Sequence, residues 1–89
     1  MNPLKELPDK TKIIAIIERF FNQFRVGEEL KAYSVVRYVH RHFDGKRSDS
    51  TISRYMRDAR DDGKINYTYV GSKSSGKIKI LPLGEPHSI

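Results

Sequence analysis

Apolar residues recur at helical spacing in three stretches of this chain, and after Gly63 the period drops to two. In the first stretch Ile13, Ile16, Ile17, Phe20 and Phe24 follow the i, i+3, i+4 rule, and Asp9 is placed to cap a helix running to about Arg25. Ile14 and Phe21 widen its apolar arc. That predicts either a central helix covered on more than one side or a contact between two copies of the chain. Glu28, Glu29 and Leu30 are too few for an independent element and fit a stub of strand. A second helix fits Ala32–Phe43. Ala32, Val35, Val36, Val39 and Phe43 share one face, Tyr38 lies at its edge, and Arg37 and Arg41 point away.

Asp44, Gly45, Lys46 and Arg47 form a short turn rich in chain-breaking and basic residues. The third helical stretch follows at once. Ser48 and Asp49 are both good N-caps, and Gly63 closes the run as a left-handed C′ residue would. Ile52, Tyr55, Met56 and Ala59 gather on one side, and Ser50, Ser53, Arg54 and Arg57 on the other. One side is built to pack; the other offers hydroxyls and guanidiniums. A solvated face of an ordinary amphipathic helix reads the same way when taken alone.

Beyond Gly63, Ile65, Tyr67 and Tyr69 alternate with Asn66, Thr68 and Val70. A polar Gly/Ser/Lys loop over residues 71–76 is expected to be flexible. Alternation then resumes, with Ile78 and Ile80 inward and Lys77 and Lys79 outward. This predicts a β-hairpin with a basic tip: four lysines and no acid lie between Gly63 and Gly84. The organisation expected is a loose arm over residues 1–8, one domain over 9–81, and a tail over 82–89.

Composition sharpens the picture. With 89 residues, 37% hydrophobic and 31% charged, the chain has the make-up of one small folded domain. Its net charge of +6 favours an anionic partner, nucleic acid before a membrane surface. The absence of Cys excludes disulfides and thiolate metal sites. No apolar run nears the roughly 20 residues of a membrane span, and the first ten residues lack the apolar core of a signal peptide. A cytoplasmic protein is therefore expected, nucleoid-associated if the source is prokaryotic. His40 and His42, two apart on a helix, do not share a face, so no metal site is expected. No catalytic triad, nucleotide loop or cofactor motif is present, so an enzyme is not expected. Tyr67 and Tyr69 could stack on single-stranded bases, or pack as strand aromatics do.

The order helix, stub, helix, turn, helix, hairpin resembles the winged helix-turn-helix superfamily of DNA-binding domains. The resemblance runs from Asp9 to Leu81. It rests on residues 50–57, STISRYMR, which look like the start of a recognition helix, and on residues 62–67, DGKINY, which look like the junction into a wing. The chain is most similar to small stand-alone regulators of bacteria and their phages. The fold so implied is α+β, with three helices and a C-terminal β-hairpin wing.

The resemblance implies a sequence-specific double-stranded DNA-binding protein acting in transcription regulation, its third helix (49–62) in the major groove and its 71–77 wing on flanking backbone. Ser50, Ser53, Arg54 and Arg57 would then read bases. Lys46, Arg47, Thr51, Ser72, Lys73 and Lys77 would hold the phosphate backbone. Paired half-sites favour a homodimer, and no small-molecule effector is indicated. Asp58, Asp61 and Asp62, near the same outward face, would repel phosphate and have no evident local benefit. They and the apolar Ile14 and Phe21 motivate the alternative, a winged-helix protein-interaction module in a replication or transcription complex.

Overall fold

A computed structural model of the chain describes residues 8–86, with Lys73 described by its backbone alone. The first helix, α1, spans Asp9–Phe21. A short strand β1 (Glu29–Lys31) leads directly into α2 (Ala32–His42), and α3 covers Asp49–Asp61. Strands β2 (Tyr67–Tyr69) and β3 (Lys77–Ile80) follow. The architecture is α+β: three helices and a three-stranded antiparallel sheet in the order β1-β3-β2.

The core explains the breadth of the apolar arc on α1. Ile13, Ile14, Ile17 and Phe21 are all buried, against Val35, Val36 and Val39 of α2 and Ile52, Met56 and Ala59 of α3. Ile65, Tyr67, Ile78 and Ile80 close the core from the sheet side. Ile14 and Phe21 therefore belong inside one chain and are not free to join two copies. The helix ends four residues before Arg25. Gln23 N–H and Phe24 N–H bond the carbonyls of Phe20 and Phe21 at 3.1 Å each, turns too tight to continue an α-helix. Phe24 still packs on the core from beyond the helix end. Pro8, not Asp9, holds the N-cap position, and no side chain caps α1.

α3 has both of the ends its sequence promises. Ser48 Oγ accepts the Thr51 N–H at 3.2 Å, satisfying one orphan donor of the first turn. At the other end Gly63 takes φ +77°. Lys64 N–H reaches Ala59 O at 2.9 Å and Gly63 N–H reaches Arg60 O at 3.0 Å, the paired bonds of a Schellman close. Gly45 in the α2–α3 turn has a different reason to be glycine. A Cβ there would lie 2.6 Å from the Phe43 ring.

The stub before α2 becomes a true strand because β3 takes it up, Glu29 opposite Lys79 and Lys31 opposite Lys77. Ala32 N–H then donates to Gly76 O at 2.7 Å, so the start of α2 is tied to the end of the β2–β3 loop. That loop contains one turn of 3-10 helix, Lys73–Ser75, where the sequence reading expected only flexible chain. Asn66, expected on the outer side of a strand, is buried. Its Nδ2 donates to Pro82 O and Glu85 O, both at 2.7 Å, and anchors the chain beyond Leu81. Most of the arm and the last three residues of the tail lie outside the described residues.

Candidate nucleic-acid interface

The outward side of α3 is held in place from behind. Its buried stripe of Ile52, Met56 and Ala59 fixes the rotation of the helix, which leaves Ser50, Arg54 and Arg57 exposed and Ser53 half-buried. The Arg54 guanidinium lies 5.7 Å from the centroid of the Tyr55 ring, its one close contact on this face. Neither Arg54 nor Arg57 forms an ion pair or hydrogen bond with the described residues. Two guanidiniums a turn apart thus carry no hydrogen bond or ion pair to the described residues, although Arg54 lies over Tyr55 and both charges act on Asp58. They are the groups best suited to bidentate contact with phosphate or with a guanine edge.

The start of α3 gathers hydroxyls. Ser48 Oγ lies 3.2 Å from Ser50 Oγ and 2.8 Å from Thr51 Oγ1. Thr51 is half-buried and faces this cluster, so its hydroxyl already has a partner. The α2–α3 turn is braced on both sides. His40 Nε2 lies 2.8 Å from Asp49 Oδ1 across it, and Arg47 pairs with Asp9 at the start of α1. Arg47 also donates to the Lys46 carbonyl at 2.7 Å. A guanidinium expected on phosphate is therefore engaged internally, whereas Lys46 is exposed with its ammonium free of described partners.

Asp58 now has a local partner. Its carboxylate lies 2.9 Å from Lys10 Nζ, which also sits 5.5 Å from the centroid of the Tyr55 ring. The hydrogen bond from Lys10 holds the Asp58 carboxyl below the usual carboxylate range, helped by the charges of Lys10, Arg54 and Arg57. The same bond raises Lys10 above its ordinary value. The acid closest to the two exposed arginines is thus drawn toward α1. Asp61 and Asp62 remain exposed at the far end of the helix.

Comparison of the chain with protein-family models, curated proteins and solved structures finds no match.

The hairpin residues are less concentrated. Lys77 is exposed on β3, opposite Lys31 of β1, a basic residue the sequence reading passed over. Ser72 Oγ bonds Ser74 Oγ at 2.9 Å, and Ser75 Oγ donates to Val70 O at 2.8 Å. The Lys73 side chain lies outside the described residues. Among the described residues no hydrogen bond or ion pair joins Lys46 or the Lys77 ammonium to the α3 face.

Tyr67 is fully buried and cannot offer its ring to a base. The Arg60 guanidinium lies 4.4 Å from its ring centroid and donates to its carbonyl at 3.3 Å. Burial pushes the Tyr67 phenol up to about 12, and its hydroxyl has no hydrogen-bond partner. Arg60 was missed in the sequence. Its place one residue after the buried Ala59 marks it as a flank residue, but only the fold shows that it covers Tyr67. Among the described residues no group of three His, Cys, Asp or Glu could hold a metal ion. No described helix is long and apolar enough to cross a membrane.

Proposed function

We propose that this chain is a winged-helix domain that binds double-stranded DNA sequence-specifically, as a transcriptional regulator. α3 would lie in the major groove with its N-terminal half nearest the bases. The observation that carries the reading is the pair Arg54 and Arg57, exposed and with no hydrogen bond or ion pair to the described residues, on a helix whose opposite side is buried. The element order and the β1-β3-β2 sheet are compatible with a winged helix, the β2–β3 hairpin being the wing. The net charge of +6 supports an anionic partner.

In this reading Arg54, Arg57, Ser50 and Ser53 meet base edges, and Lys46 and Lys77 meet phosphates. Phosphate contacts set register while base contacts carry the preference. Asp58 does not oppose the approach, because Lys10 already balances it. Selection of bound sites from a random duplex pool tests the proposal. A recovered motif, with affinity falling by a log–log slope of about −0.9 per phosphate neutralised as salt rises, is the expected result. Affinity indifferent to replacement of both arginines would overturn it. A palindromic motif would further establish a homodimer.

A further inference from the structure

A second arginine pair stands on α2, and its surroundings differ in kind. Arg37 and Arg41 are exposed, four residues apart on one face, and neither forms an ion pair or hydrogen bond with the described residues. α2 contains no acid at all. Like charges at this spacing repel, and no acid on α2 pairs with them, although Arg41 in the last turn is favoured by the helix dipole. Between α2 and α1 lies a groove of about 240 Å³, lined by Phe20, Ser34, Arg37, Tyr38 and Arg41. Its floor is aromatic and fixed. The Phe20 and Tyr38 rings lie 4.5 Å apart, and Tyr38 also lies 4.2 Å from the His42 ring. Gln23 Nε2 donates to the Tyr38 hydroxyl at 3.1 Å and pins it.

The groove is on the flank of α2 away from α3. Tyr38 meets α1 on this side, whereas His40 reaches the other side to Asp49 of α3. A partner here would leave Arg54 and Arg57 uncovered.

We infer that this groove docks a short acidic–apolar segment of a partner protein. Its carboxylates would pair with the two planar guanidinium forks, and an apolar side chain between them would cover the Phe20–Tyr38 floor. Charge complementarity selects the sign of the occupant; the aromatic floor selects its type. A duplex presents its phosphodiester backbone to the arginines, but its bases are stacked inside and offer nothing to the aromatic floor. The inference does not rest on the DNA reading.

The test is a ¹H–¹⁵N titration of the full chain with an acetylated Asp-Leu-Asp-Asp-Leu peptide, beside a Lys-Leu-Lys-Lys-Leu control. Saturable shifts at Phe20, Ser34, Arg37, Tyr38 and Arg41 are expected with the acidic peptide alone. They should weaken roughly tenfold or more in Arg37→Glu with Arg41→Glu. Arg37→Gln with Arg41→Gln should act in the same direction without reversing charge, which guards against misfolding. Arg54→Ala with Arg57→Ala should leave the peptide shifts in place even if duplex binding is lost. The inference is overturned if no saturable shift appears at these amides, or if the control peptide shifts them equally. It is also overturned if duplex DNA saturates the groove and the acidic peptide does not.

Discussion

Two arginine pairs lie on two helices of the same small body, and they share charge, exposure and the lack of a hydrogen bond or ion pair to the described residues. Their surroundings separate them. Arg54 and Arg57 project from a helix whose N-terminal turn carries a hydroxyl cluster. Arg37 and Arg41 border a groove floored by tilted rings in contact. An exposed polar helix face suits the edges of a duplex, whereas a groove with an aromatic floor suits a side chain. The contrast teaches that arginine count does not name a partner. The apolar surface beside the charge does.

The strongest way to break this contrast is to remove each pair in turn. Arg54→Ala with Arg57→Ala should lower affinity for a selected duplex by about a hundredfold or more, if each good base contact contributes about 1–3 kcal/mol. Arg37→Ala with Arg41→Ala should change it by no more than about threefold, the long-range share of two distant charges. Fluorescence anisotropy at one fixed salt concentration compares them. Equal losses would erase the distinction.

Arg60 sharpens it from another side, because this arginine packs on Tyr67 and is not offered outward. The Tyr67 phenol is raised from its ordinary value near 10 to about 12 by burial. The unfolded chain therefore ionises first, so this contribution is whole below pH 10 and is lost as pH climbs toward 12. The loss should be on the order of 2 kcal/mol, read from urea midpoints across that range. Tyr67→Phe should remove most of the slope, leaving a residue from Lys10, whose raised value acts in the same alkaline range and direction. At neutral pH the same variant should be as stable as the native chain or slightly more so, since the buried hydroxyl has no partner to lose.

Ser48→Ala tests whether the α3 face depends on its cap. Loss of the bond to Thr51 N–H should cost about 1 kcal/mol in urea unfolding. Duplex affinity should fall with it while peptide shifts in the α1–α2 groove stay unchanged. The smallest effect belongs to Asp58→Asn. Asp58 is depressed by Lys10, so its stabilisation is present above the ordinary carboxylate value and fades as pH falls through the lower folded value. The variant should flatten that acid limb slightly, because the pair is well exposed and solvent screens it.

Much of this fold is legible in local pattern. The periods of α1, α2 and α3 mark their buried stripes. Ser48 and Gly63 bound α3 through short-range chemistry that needs no distant partner. The alternation of residues 77–80 gives inward Ile78 and Ile80. What escaped is long-range. A strand stub near Glu29–Lys31 is expected from the sequence, but its pairing with β3, about fifty residues on in the chain, is not. Asp9 looks like a cap in sequence, but its carboxylate goes to Arg47, thirty-eight residues away. Asn66 looks like an outward strand residue until the returning chain supplies Pro82 and Glu85 carbonyls. The exposed arginines of α3 were visible from periodicity, but the engagement of Arg47 and the balance of Asp58 by Lys10 required the packing of α1 across α3.

That packing has a further effect. The opening turn of α1 grips the region of α3 twice, at Asp9–Arg47 before the helix and at Lys10–Asp58 along it. Together these two exposed, solvent-screened pairs add a weak tie to the orientation that the buried stripe of α3 already sets. If the chain reads DNA as proposed, variation at Asp9 or Lys10 would let target choice drift by small steps while Arg54 and Arg57 stay the same.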